Sequence, residues 1–486
     1  MLNYIVDIIT KFKNKTLNAQ GIESDLYKAL QKGDVSAALS MFQNREEEVD
    51  NAIKEYNPQT HKVMQRRNKY RKNDRPYITE KLPRTRQRYI NEVELFFLFG
   101  SPLRWTKLDG DDEAYKLFLD FIRDSRFDAK MRQIKRLAGA ETECAKLYHL
   151  YNENGKIGVK TVVLARSTGY DIRPLFNQYG DLVAFAYGFK TKGADNKTVQ
   201  HWEIETRDNI FECIQGNLEW DVRTRPNPTN RINVIYYRQP KAWDGVEPRL
   251  EREEMLDSKV GDTNNYFADP VAKASADVIQ SLASPETTGK LIQLNGTNSV
   301  FDYVNPPQSS ELRQSEQENL EKSILFDTFT PDFSFENMRG FGSVSGAAIK
   351  NAMILGFLKA DNRKEIYSEL IDRDKNLIKS ILAYMHPDKA KAIEELQIQF
   401  DYTEPFAEDD QSEKNFVLTA YNAGLVSMET AVSLLALTKT PETEIQALKD
   451  AAAQKQQQEL AAKAQEAALK QAAQSTGQEG ADKAKE

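Results

Sequence analysis

The sequence predicts an α+β fold, mainly helical with one contained antiparallel β region, and three observations carry that reading. Apolar residues recur at helical spacing in Ser24–Tyr56, in Tyr89–Phe99 and again in Val344–Met385. Between Lys156 and Tyr237 the chain instead alternates short β-rich runs with turn residues. Hydrophobic residues at 40% and charged residues at 29% suit a chain that buries a core and keeps a wet surface.

The 486 residues leave room for about three average domains or one large elongated protomer. A net charge of −7 argues against a cation-coated surface that grips nucleic acid tightly. Cys144 and Cys213 are the two cysteines, too few for a disulfide framework, and they point to a reducing compartment. His61, His149, His201 and His386 are scattered singly, so no metal or cofactor is expected. MLNYIVDIITKFKNKT has neither the leading charge nor the cleavage site of a signal peptide. The most lipid-like run, VELFFLFG, falls far short of the roughly 20 residues a spanning helix needs. The expectation is a soluble protein, cytoplasmic at synthesis, with no membrane contact.

Taken in order, Ser24–Tyr56 reads as helix through Leu26, Ala29, Leu30, Ala37, Leu39, Met41 and Phe42. A basic stretch, 62–88, follows, with Lys62, Arg66, Arg67, Lys69, Arg71, Lys72, Arg75, Lys81, Arg84, Arg86 and Arg88 against Asp74 and Glu80. With Tyr70 and Tyr77 interleaved it could contact nucleic acid, or it could be a solvated loop or a face between subunits. Tyr89–Phe99 reads as a buried helix stopped by Gly100 and Pro102. LDGDDEAYKLFLDFIRD lacks the ligand spacing of a calcium loop and reads better as a helix with carboxylates at its N-terminus.

VKTVVLA, LVAFAYGF, HWEIET and INVIYY form the β region, about 156–238. Residues 251–282 return to helix, interrupted or kinked by Gly261 and Asp269-Pro270. Two short β-like runs, KLIQL and SVFDYV, flank Asn295-Gly296, a hairpin signal. Glu311–Phe329 is a polar helix whose stripe is thin, Leu312, Leu320 and Ile324, beside Glu311, Glu316, Glu318 and Glu321. It can be stable if that stripe packs while another face meets water, as in the wall of an aqueous channel where acids repel a phosphate backbone.

TFTPDFSFENMRGFGSVSGAAIKNAM then leads to the long helical pattern. It is not a kinase signature, since no HRD-type catalytic loop accompanies it and PDFS has serine where DFG needs glycine. No G-x-x-x-x-G-K-[ST] occurs either, and no catalytic centre is expected. Gly340 and Gly342 relieve backbone strain, Phe333, Phe335, Met338 and Phe341 supply bulk, Arg339 supplies a cation, and Ser345 suits an N-cap. The stretch is a mechanical loop or a passive connector. Phe416–Leu448 holds shorter helices broken at Gly424 and Pro441, and an Ala/Gln-rich tail closes the chain.

The order NEVELFFLFGSPL, VIYYRQP, LEREEMLDSKVGDTNNYFAD, FTPDFS, SGAAIK and AYNAGLVSMETAV resembles the portal proteins of tailed bacteriophages, of the siphophage type. The resemblance implies a non-enzymatic ring of about twelve copies at one capsid vertex, a head–tail connector in the virion, assembled in host cytoplasm. Double-stranded DNA would be packaged and ejected through its bore. The partners implied are the terminase large subunit, a head-completion adaptor, and the major capsid and scaffolding proteins. By position, 1–250 would be the N-terminal wing, 251–282 the first stem helix, 283–310 a small α/β clip and 311–328 the second stem helix. Residues 329–343 would be the tunnel loop, 344–403 the long wing helix and return, 404–448 the crown and 449–486 a partly disordered tail. Phe333, Phe335, Asn337, Met338, Arg339 and Phe341 would serve the tunnel loop, and Glu311, Glu316, Glu318 and Glu321 would line the channel. Lys290, Asn295, Phe301 and Tyr303 would form the clip surface for terminase and adaptor. The rival reading is a nucleic-acid-binding protein or enzyme working through 62–88.

Overall fold

In the computed structural model, the described residues run from 19 to 458, apart from 71–75, 154, 193–195, 218, 269–271, 275–300, 304–309, 335–338, 340–349, 406–409, 436–443 and 456. They fall into two units, Met1–Gly342 with Ala352–Pro405, and Ser343–Asn351 with Phe406–Glu486.

The helical stretch before residue 57 is three helices: α1 (Ala19–Gln31), α2 (Val35–Ser40) and α3 (Glu46–Tyr56). Gly33 takes the left-handed conformation that breaks the first from the second, and Asp34 caps α2 by accepting from Ala37 N at 2.9 Å. A small hairpin, β1 (Lys69–Tyr70) and β2 (Pro76–Tyr77), lies within the basic stretch. Then come α4 (Arg86–Phe99), capped by Gly100, and β3 (Arg104–Asp109). Asp111 caps α5 (Asp112–Asp124) by accepting from Ala114 N at 2.8 Å, so DGDD is a helix start, as its spacing implied. α6 (Phe127–Glu141) follows.

The β region begins at Glu143 rather than Lys156. β4 (Glu143–Glu153) opens with a wholly buried run, which has no polar alternation to betray a strand. β4 lies between β5 (Lys156–Leu164) and β11 (Val234–Arg238) in a three-stranded sheet. β6 (Asp171–Phe176), β7 (Leu182–Lys192), β8 (Thr198–Thr206), β9 (Asn209–Gln215) and β10 (Trp220–Pro226) form a five-stranded meander, and every pairing is antiparallel. The period of two divides β7 cleanly. Ala184 and Ala186 face Leu26, Leu30 and Val35 of the first helices, while Phe185 and Tyr187 face Leu147, Leu164 and Tyr236 of the smaller sheet.

α7 (Glu247–Ala268) runs unbroken through Gly261, where a Cβ would meet Glu80 Cγ at 3.1 Å. The expected helix over 251–282 starts earlier, at Glu247, and is described as far as Ala268, while Asp269-Pro270 lies outside the described residues. Residues 272–274 are instead a strand, β12 (Ala272–Ala274), paired antiparallel with β13 (Phe301–Tyr303). The KLIQL run, Lys290 and Asn295 lie outside the described residues. α8 (Ser310–Asp327) matches the polar helical pattern, whereas the long helix expected over Val344–Met385 is interrupted by a turn at Met353 and continues as α9 (Ile354–Met385); Ser345 lies outside the described residues. α10 (Ala390–Glu395) leads into β14 (Gln397–Asp401), a strand the sequence reading missed, which pairs with β3. The second unit holds α11 (Asp410–Asn422), α12 (Met428–Leu435), separated at Gly424, and helical residues 444–455.

Candidate functional site

α7 and α8 run side by side in opposite directions and are joined largely by polar contacts. Arg249 pairs with Asp327, Gln317 donates to Asp257, and Arg313 Nη1 donates to Thr263 Oγ1 at 3.5 Å. Arg252 Nη2 lies 2.7 Å from Glu316 Oε1. The thin apolar stripe is used unevenly: Ile324 is fully buried against Ile90, Trp243 and Val246, whereas Leu312 is 76% exposed. Of the four acids expected to line a channel, Glu316 meets Arg252, and Glu321 lies 2.6 Å from Arg86 Nη2. Glu311 is exposed, and exposed Glu318 accepts from Gln314 Nε2 at 3.1 Å.

The basic stretch turns inward onto α7. Arg84 Nη1 and Arg86 Nη2 reach Glu253 at 2.8 and 3.0 Å, Arg84 also pairs with Asp257, and Arg66 Nη2 reaches Asp262 at 2.6 Å. Lys62 Nζ pairs with Glu251 at 2.6 Å. The backbone follows the same helix. The amides of Glu80, Leu82 and Arg84 donate to Asp262, Ser258 and Glu254 at 2.7, 2.9 and 2.8 Å. Two residues of extended chain advance about 6.6 Å and four residues of helix about 6 Å, so alternate amides meet every fourth side chain.

His61 completes this strap, its Nδ1 2.6 Å from Glu254 Oε1 and its Nε2 2.8 Å from Glu55 O. Burial would lower the His61 pKa, but the bond and charge of Glu254 raise it above the usual value. Burial pushes the Glu253 carboxyl up, although Arg86 and Arg84 pull it down. Arg66, Arg84 and Arg86 of 62–88 thus pair with acids of the same chain, which counts against the nucleic-acid reading at those three positions, while Lys62 stays largely exposed beside Glu251.

α8 ends where Phe329 adopts φ of 50°, Phe329 N donates to Phe326 O at 3.0 Å and Thr330 N to Leu325 O at 2.8 Å. This is a Schellman-type stop. The segment beyond it is seated on α4. Tyr89 donates through its hydroxyl to Pro331 O at 2.7 Å and accepts from Phe333 N at 2.8 Å. The Phe333 ring lies 6.2 Å from both Phe96 and Phe97. Phe333 thus packs against a helix of its own chain. Arg339 is exposed, while Phe335, Asn337, Met338 and Phe341 lie outside the described residues, as do the side chains of Phe301 and Tyr303.

Beneath the seat is a buried charge cluster. Glu94 lies 2.8 Å from Lys135 Nζ, 2.9 Å from Arg363 Nε and 3.3 Å from Lys359 Nζ. The Lys359 contact is an ion pair without hydrogen-bond alignment. Burial would raise the Glu94 pKa, but Lys135, Arg363 and Lys359 hold it well below the usual carboxylate range. Burial pushes Lys359 down to about 8, opposed by Glu94 and reinforced by Arg363 and Lys135. Lys359 also donates to Ala242 O at 3.2 Å and Thr330 Oγ1 at 3.4 Å. Sequence reasoning missed Tyr89, Glu94 and Lys359; Glu94 alone left a signal, as the one acid inside the apolar run VELFFLF.

The model of the family described as "Phage portal protein, SPP1 Gp6-like" matches residues 39–458. Among solved structures, the chain resembles "Neck of empty GTA particle computed with C6 symmetry" with TM-score 0.42 and 10% identity, covering 82% of this chain and 95% of that one. It also resembles "Neck of native GTA particle computed with C12 symmetry" with TM-score 0.40 and 10% identity, covering 73% and 91%. "Virion of native gene transfer agent (GTA) particle" gives TM-score 0.38 and 9% identity, covering 73% and 89%. No curated protein matches the chain.

Proposed function

The chain belongs to the SPP1 Gp6-like family of phage portal proteins, and from that premise we propose that its copies close into a ring, of about twelve subunits, at one vertex of a viral capsid. The ring is a conduit and a docking platform without chemistry of its own. Double-stranded DNA enters through it during packaging and leaves through it during ejection. The terminase large subunit docks on it first and a head-completion adaptor afterwards, while the major capsid and scaffolding proteins surround it.

Within the protomer, α7 and α8 are the stem and α8 faces the bore. Residues 283–310 are the clip, and Lys290, Asn295, Phe301 and Tyr303 serve its contacts. Residues 329–343 are the tunnel loop, in which Phe335 to Phe341 meet DNA in the bore, and residues 404–448 are the crown. The observation that carries the reading, beside the family match, is the polar pairing of α7 with α8. Such pairing leaves another side of α8 wet, where Glu311 and Glu318 stand exposed beside Leu312 and Phe326. Acids at Glu311 and Glu318 on that side repel phosphate, so DNA slides without the counterion release that makes binding tight.

Native mass measurement of the purified protein tests the reading. A closed ring is expected to appear as one discrete high-mass species, and a monomer at high concentration would defeat it. Deleting Met338–Gly342 is expected to leave rings intact and to impair DNA packaging or retention.

A further inference from the structure

The two ends of the segment between α8 and α9 converge on one helix. On the outgoing side, Tyr89 holds main-chain atoms only, the carbonyl of Pro331 at 2.7 Å and the amide of Phe333 at 2.8 Å. Its grip therefore fixes the path of the backbone whatever side chains follow. On the returning side, Gly356 packs so tightly that an added Cβ would stand 2.3 Å from Phe97 Cε2, and the Phe357 ring lies 5.1 Å from that of Phe97. Phe333 meets Phe97 from the other end at 6.2 Å, nearly parallel at 24°. Lys359 joins the two ends directly by reaching Thr330 Oγ1 at 3.4 Å.

We propose that α4 is a clamp on both ends of this segment, with Tyr89 and Phe97 as positioning residues for whatever the segment does in the bore. The proposal rests on the channel reading above and adds to it the means of holding. Without a clamp, the residues from Ser334 to Ala352 could part their ends by up to roughly 60 Å. With it, the ends are pinned within about two turns of one helix. A buried helix is a rigid seat, because close-packed side chains transmit strain instead of absorbing it. A force on the segment is thus delivered to α4 and, through Glu94, to α6 and α9, where Lys135, Lys359 and Arg363 are fixed.

The test compares Tyr89→Phe, Gly356→Ala and the Met338–Gly342 deletion with the unaltered chain, each as assembled rings in a packaging reaction with capsids, terminase and ATP. Tyr89→Phe keeps the ring's packing and removes only the hydroxyl. The expected result is an unchanged subunit number and melting temperature, about tenfold faster exchange of the Phe333 amide, and a loss of retained DNA comparable to that of the deletion. Gly356→Ala attacks the other end and is expected to lose DNA retention likewise; it decides the matter alone if Tyr89→Phe does not assemble. Normal retention in Tyr89→Phe and Gly356→Ala, with retention lost in the deletion, overturns the clamp and leaves the channel reading standing. Normal retention in the deletion as well overturns the role of the segment itself, and the clamp with it.

Discussion

Replacing Glu94 with glutamine keeps the shape of the side chain and removes the carboxylate charge that three cations share. Lys135, Arg363 and Lys359 stand within 2.8, 2.9 and 3.3 Å of it, and Glu94 and Lys135 are wholly buried. Removing one partner of a buried ionic cluster typically costs about 3–5 kcal/mol, because the charges left behind stay desolvated. The larger unit spans Met1–Gly342 and Ala352–Pro405. At about 2.1 cal/mol/K per residue, roughly 400 residues give an unfolding entropy near 0.8 kcal/mol/K. A loss of about 4 kcal/mol then lowers the melting temperature by about 5 °C. Differential scanning calorimetry of Glu94→Gln measures this directly, and adding Lys135→Met is expected to recover part of the loss. A fall below about 1 °C, or a double variant no better than the single one, would refute the view that charge balance holds α4, α6 and α9 together.

Other consequences are open to measurement. Because the His61 pKa is raised, the folded state binds the proton more tightly than the unfolded chain does. The stability of the His61–Glu254 pair is therefore present below the ordinary histidine value and lost as pH rises through the folded one. Melting curves from pH 5 to 9 are expected to show this decline in the unaltered chain and a flatter profile in His61→Gln; identical profiles would exclude the linkage. In Gly139→Ala the new Cβ would lie 2.0 Å from Asn91 Oδ1, and a loss of about 1–3 kcal/mol is expected by denaturant unfolding, whereas Gly21→Ala, with open space around it, should cost nothing. Neutralising Arg84 and Arg86 to glutamine strands the buried Glu253 carboxylate, so stability should fall by about 3 kcal/mol. The salt dependence of any DNA binding should not change; a slope reduced by about two would revive the nucleic-acid reading of 62–88.

Elements whose pattern is local were legible in the sequence. Asp111 as a helix cap, Gly100 as a stop, the run of turn-separated strands and the polar helix over 310–327 each follow from neighbours within a few residues. What was not legible depends on distant partners. β14 is a five-residue strand whose identity comes from β3, almost 300 residues earlier. The first half of β4 looked unlike a strand because Lys146 is buried there, neutralised by Asp374 of α9. The basic stretch misled for the same reason. Its composition suggests a surface for phosphate, but Glu253, Asp257 and Asp262, spaced by four and five residues on α7, pair with its Arg84, Arg86 and Arg66. The acids of α8 divide similarly, since only a partner chain segment distinguishes Glu316 and Glu321, which are paired, from Glu311 and Glu318, which face outward. The seat on α4 was invisible because a tyrosine that holds two main-chain atoms leaves no spacing to read.

The most direct test is an electron-microscopy map of the assembled particle at side-chain detail. It should show a closed ring in which α8 borders the central opening, with Glu311 and Glu318 turned toward it and Tyr89 still holding Pro331 and Phe333. A ring with α8 on its outer rim, or a particle with no central opening, would contradict the account.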